Sequence, residues 1–166
     1  MTRRDCLRLF VGAAALTLAA CGFHLRGEAN FAFATVFVNS SGSPSFNNEL
    51  TRALLGAGNA KIADSAAAAQ VILEIPVVQD DKEVLSLSSA GAVREYQLIK
   101  RVSFRLHDKE GADWMPAGEI TVRRSYTFQE TQALARDLEE QRLQRDMQTD
   151  AIAQILRRLQ AARKPA

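Results

Sequence analysis

Glu95–His107 reads EYQLIKRVSFRLH, an alternation of character that suits an extended chain. Successive side chains of a strand point to opposite faces, so Tyr96, Leu98, Val102, Phe104 and Leu106 share one face. Glu95, Gln97, Arg101, Arg105 and His107 share the other, and Lys100 interrupts the apolar set. A strand with one apolar and one polar face belongs to an antiparallel sheet covered on one side. Downstream, KEG at 109–111 supplies the turn of a hairpin. Beyond it Ile120, Val122, Tyr126 and Phe128 alternate against Glu119, Thr121, Arg123, Ser125 and Thr127. Upstream, Val71, Leu73, Ile75 and Val77 define one face of a third strand, with Pro76 marking an edge or a bulge. A short β-branched and aromatic run, ATVFV at 34–38, predicts a fourth.

Two segments carry the other periodicity. Ser43-Pro44 offers an N-cap followed by proline at the first helical position. Phe46, Leu50, Ala53, Leu54 and Ala57 then recur at helical spacing, and Gly56 and Gly58 end the helix. From about Thr131 to Arg163 the chain reads as helix, with Leu143, Met147, Ala151, Ile155 and Leu159 every fourth residue. The step from Leu138 to Leu143 is out of register, which points to a break near 135–141. Acidic residues early (Asp137, Glu139, Glu140) and basic ones late (Arg157, Arg158, Arg163) suit the helix dipole. Ala66–Ala69 reads as a short turn. The expected fold is α+β: a two-layer sandwich of about four mostly antiparallel strands with two helices packed on one face.

At 166 residues and 18.2 kDa the chain has room for one domain. Its N-terminus is a separate matter. TRRDCLR at 2–8 is a basic head, and Leu9–Ala20 is an apolar run too short for a bilayer core of about 30 Å. These are the parts of a secretory signal peptide, residues 1–20. The paired arginines leave both the general and the twin-arginine export routes open. Leu18-Ala19-Ala20-Cys21 resembles a bacterial lipobox. Small residues admit the peptidase, and only the Cys21 thiol can form the thioether to diacylglycerol. Cys6 lies in the discarded head, so residues 21–166 form a periplasmic domain without disulfides, anchored through lipidated Cys21. Gly22, in place of aspartate, resembles the sorting pattern of the outer membrane.

Function is bounded first by exclusion. The leader holds the whole formal charge of +2, and the rest of the chain is net neutral. A neutral domain has no overall field to steer nucleic acid. His24 and His107 lie in different elements, and there is no nucleophile elbow, phosphate-cradling glycine loop or metal-ligand spacing. Asp80-Asp81 and Glu139-Glu140 diverge on a strand or helix, so paired-carboxylate chemistry is not expected. No enzyme, no metal and no cofactor is the resulting expectation.

The residues also carry a family resemblance. CGFHLRG at 21–27 is similar to the mature start of the LptE lipoproteins, and REYQL at 94–98 to their Glu-Tyr-Gln stretch. RSYTF at 124–128, QALARD at 132–137, DM at 146–147 and QILRRL at 154–159 resemble that family's last strand and long helix, in order. The likeness is weak between 28 and 90. It implies an outer-membrane lipoprotein on the periplasmic side that plugs the LptD barrel, assists assembly of lipopolysaccharide into the outer leaflet, and binds lipopolysaccharide. Arg136 matches a basic position implicated in lipopolysaccharide contact. Arg94 and Lys100 are further candidates, since cations beside apolar surface suit lipid-borne phosphates. The family's other basic position falls in a turn where this chain has LSLSSA at 85–90 and no cation. An adaptor lipoprotein of another outer-membrane assembly or transport complex is the alternative reading.

Overall fold

The computed structural model describes residues 30–127 and 133–165; the leader, Cys21 and Phe128 lie outside them. The chain runs β1 (Thr35–Ser40), α1 (Pro44–Ala57), β2 (Lys61–Ile62), β3 (Val71–Leu87), β4 (Val93–His107), β5 (Asp113–Thr127) and α2 (Ala133–Ala161). One sheet has the order β2-β1-β3-β4-β5. β1 is parallel to β2 and β3, while β3–β4 and β4–β5 are antiparallel hairpins. Among the described residues the α+β sandwich with two helices is therefore present, with a fifth, two-residue strand that is too short to leave a periodic signature.

Local rules account for the boundaries. Ser43 Oγ accepts from the Phe46 amide at 3.3 Å, and Pro44 opens α1, whose C-cap is Gly58. The β4–β5 turn closes through Asp108 and Gly111, whose φ of +87° is one that a side chain would strain. Pro76 sits where β1 leaves the sheet: pairing ends at Ser40–Ile75, and the Ser41 amide donates to the Ile75 carbonyl at 3.0 Å. The ring removes a ladder donor where no neighbour needs it, and a bulge lies between Glu74 and Val77.

That bulge corrects one expectation. Val77 does not continue the buried face of Val71, Leu73 and Ile75; it is exposed, and Val78 packs inward in its place. The extra residue shifts the side-chain alternation by one. β3 also runs on to Leu87, so β3, β4 and β5 extend past β1 as a three-stranded arm with a turn at 88–92.

A second expectation is also corrected. No break interrupts the long helix, which is continuous over Ala133–Ala161. Leu138 is out of register because it faces solvent, 59% exposed, while Met147, Ala151, Ile155 and Leu159 are buried. These four meet Phe46, Leu50 and Leu54 of α1 and the inner face of the sheet in a single core. Burying each large side chain there contributes about 1.5–3 kcal/mol. Glu49 links the two helices, accepting from Gln148 Nε2 at 2.5 Å and Thr149 Oγ1 at 2.6 Å.

Candidate functional site

Beyond the end of β1 the helix-facing side of the arm turns polar, and its strand register places the groups. Val84, Tyr96 and Tyr126 are neighbours across β3, β4 and β5, and Lys82, Leu98 and Arg124 form the next row. The Tyr96 and Tyr126 ring centroids are 5.8 Å apart. Lys82 Nζ lies 4.4 Å from the Tyr96 centroid, within cation–π range. Both Lys82 Nζ, at 2.6 Å, and Tyr126 Oη, at 2.5 Å, donate to Glu140 Oε2 on α2. One row further, Arg124 pairs with Asp150 of α2.

This cluster sets its own ionisation. Burial opposes the charge on Glu140, but the hydrogen bonds from Lys82 and Tyr126 and the Lys82 and Arg136 charges outweigh it, so the carboxyl is held below its ordinary range. Burial also opposes the Lys82 ammonium; the bonds to Glu140 and Tyr126 and the Glu140 charge prevail and raise it. Burial, then the bond to Glu140, pushes the Tyr126 phenol up. At neutral pH the arrangement is an ion pair with a neutral phenol donor, which fastens α2 to the arm.

The three sequence-predicted cations do not form one cluster, because Lys100 stands apart from the other two. Arg94 is exposed at the start of β4, beside the β3–β4 turn. Arg136, in the first turn of α2, is half-buried; its Nε and Nη2 donate to Asp137 Oδ1 at 3.2 Å, and it also faces Glu140 electrostatically. Because β4 begins and β5 ends at the same end of the arm, Arg94 and Arg136 share that end. Lys100 stands six residues along β4 from Arg94, about 20 Å away. It is 3% exposed and ion-paired to Asp80 at 2.6 Å, so the residue that breaks the apolar face is buried with a partner. Arg101 and Arg105 line the opposite face and are paired with Asp81 and Asp113. Asp80 and Asp81 diverge as expected, one to each face. His107 Nδ1 donates to the Asp108 carbonyl at 2.7 Å.

Sequence reasoning did not single out Lys82, and it read Glu140 as a helix-dipole carboxylate rather than as the partner of Lys82 and Tyr126. The signal available was Tyr96 and Tyr126 on one face, where a cation is a natural neighbour. Around the same end stand exposed apolar side chains, Val84, Leu85 and Leu87 on β3 and Leu138 on α2. Among the described residues no helix is long and apolar enough to cross a membrane, and no cluster of three or more His, Cys, Asp or Glu is placed to hold a metal.

Comparison with known proteins bears on this arrangement. Residues 33–159 match the model of the family described as LptE, lipopolysaccharide-assembly. The LPS-assembly lipoprotein LptE of Pectobacterium atrosepticum is 30% identical over 162 residues, covering 95% of this chain and 86% of that protein. Uncharacterized lipoprotein B of Nitrosomonas europaea superposes with a TM-score of 0.74 at 35% identity, covering 84% of this chain and 91% of that one. The rare lipoprotein B of Shewanella oneidensis follows with a TM-score of 0.64 at 27% identity, covering 76% and 94%. The family match spans β1 to β5, α1 and all but the last two residues of α2; the chain belongs to the LptE family of lipopolysaccharide-assembly lipoproteins.

Proposed function

We propose that this lipoprotein plugs the outer-membrane barrel LptD and assists delivery of lipopolysaccharide to the outer leaflet, binding lipopolysaccharide as it does so. The family match over 33–159 carries the reading. The physical surface is compatible with it. Charges on the sheet's open face are matched locally, as in Arg101–Asp81 and Arg105–Asp113, and a mosaic of that kind suits the polar interior of a barrel. The role is one of positioning and requires no catalysis. Lipidated Cys21 would hold the domain at the periplasmic side of the outer membrane, with residues 1–20 removed.

Exposed Val84, Leu85, Leu87 and Leu138 share the arm's end with Arg94 and Arg136, and apolar surface together with guanidinium groups is what a phosphorylated lipid requires. Lys100 is too far along β4 to join them and belongs to a separate environment. Two measurements test the reading. Tagged protein extracted from envelope membranes should retain LptD, and depleting the protein should lower the amount of correctly assembled barrel. Lipopolysaccharide binding should weaken in Arg94→Asp and Arg136→Asp together while the melting temperature holds. Recovery of a different complex, or normal barrel assembly without the protein, would overturn it.

A further inference from the structure

A second recess lies away from the arm's end, where α1, the sheet and α2 meet. Its cavity of about 200 Å³ is lined by Ser45, Asp80, Lys100, Gln141, Gln144 and Arg145, together with Gln148. Positions 141, 144, 145 and 148 share one face of α2 because they are three and four residues apart. Ser45 belongs to the first turn of α1, where the helix dipole is positive.

The ammonium of Lys100 gives the recess its character. It can donate three hydrogen bonds. Asp80 Oδ1, at 2.6 Å, is its one carboxylate partner among the described residues, and the side chain is only 4% exposed. Two N–H donors therefore remain for whatever enters the recess, since a buried cation with unmet donors is costly. Arg145 has neither an ion pair nor a hydrogen bond among the described residues, nor do the amides of Gln141 and Gln144. Opposing carboxylates are already engaged: Asp80 by Lys100, Glu49 by Gln148 and Thr149, and Glu140 by Lys82 and Tyr126. With Lys100 and Arg145 against Asp80, the lining is net positive and rich in donors. None of its lining residues is an apolar one that would hold an acyl chain.

We propose that this recess binds an oxyanion carried on a sugar, a phosphate or carboxylate, held between Lys100 and Arg145 with the glutamine amides on the adjoining ring hydroxyls. The oxyanion part rests on the geometry alone; the sugar rests on the functional reading above.

The test is calorimetric titration of the full chain, purified in detergent, with N-acetylglucosamine 1-phosphate, with N-acetylglucosamine and with inorganic phosphate. The phosphosugar should bind saturably, more weakly as salt rises, and more tightly than inorganic phosphate; the neutral sugar should not bind. Arg145→Ala removes an exposed side chain, so the fold is retained, and affinity should fall about tenfold. Lys100→Met should reduce it at least as much and leaves Asp80 half-exposed and solvated rather than stranded. Gln144→Glu should abolish binding, whereas Arg142→Ala, outside the recess, should not alter it. Equal binding of both sugars, or unchanged affinity in Arg145→Ala and Gln144→Glu, would overturn the site. Inorganic phosphate binding as tightly as the phosphosugar would overturn the sugar assignment. Lipopolysaccharide binding without phosphosugar binding would overturn this recess and leave the proposed function standing; the reverse result would do the opposite.

Discussion

Tyr126 on β5 and Glu140 on α2 are joined by a 2.5 Å hydrogen bond between the phenol and Oε2, and the same oxygen accepts from Lys82 of β3. Three elements, β3, β5 and α2, thus meet on one carboxylate oxygen. This holds the N-terminal half of α2 against the arm, where the buried stripe of that helix has not yet begun.

The first prediction concerns that oxygen. The folded pKa of Glu140 is lowered, so its stabilisation is present above the ordinary carboxylate range and is lost as pH falls through the folded value. Lys82 and Tyr126 are both raised, so their contributions are present below about pH 10 and are lost as pH rises through their folded values. Glu140→Gln should lower stability at neutral pH by about 1 kcal/mol and flatten the acid limb. Urea midpoints across pH, compared with the parent protein, would reveal it; identical acid limbs would show that the cluster contributes nothing.

Helix α2 supplies a paired prediction. Ile155 is fully buried and Leu138 largely exposed. Ile155→Ala should destabilise the fold by about 2–5 kcal/mol through lost burial and a cavity. Leu138→Ser should stay within about 0.5 kcal/mol. Thermal denaturation of both variants decides the matter, and a large loss at 138 would mean that the end of the arm is packed rather than open.

Gly118 permits a close approach. A Cβ there would stand 2.9 Å from Arg158 Nη1 and 3.0 Å from Phe104 Cζ. The arginine end can yield, but Phe104 is buried, and the guanidinium lies 5.1 Å from its ring centroid. Gly118→Val should cost about 1–3 kcal/mol by overpacking. Replacing Arg158 by alanine in the same protein should recover only part of that loss, because the phenylalanine clash remains. Full recovery would assign the strain to the arginine alone.

Cys21 bears on localisation. Mass spectrometry of membrane-extracted protein should find residues 1–20 absent and a lipid mass on Cys21. Cys21→Ser should release the domain to the soluble fraction unless a barrel partner retains it, with the melting temperature unchanged. An intact leader on the membrane-bound form would refute the lipoprotein processing.

Short-range chemistry was legible in the residues themselves. The Ser43 cap, Pro44, the turn at Gly111, the β4 alternation and the buried stripe from Met147 to Leu159 each follow from a local rule, because dihedral preference and side-chain periodicity act over a few residues. The family resemblance was legible too, in CGFHLRG at 21–27 and in motifs from 94 onward. Three things were settled only in the tertiary structure. The bulge after Glu74 turned Val77 outward and Val78 inward, since register depends on which strand lies alongside. Strand β2 exists only as a partner for β1, two residues being too few to show a period. The partners of Lys82 and Lys100, Glu140 on a helix 58 residues away and Asp80 across the hairpin, were set by packing. A charge announces its type in the sequence, but what neutralises it depends on which elements the core brings together, and that is a long-range outcome of burying apolar faces.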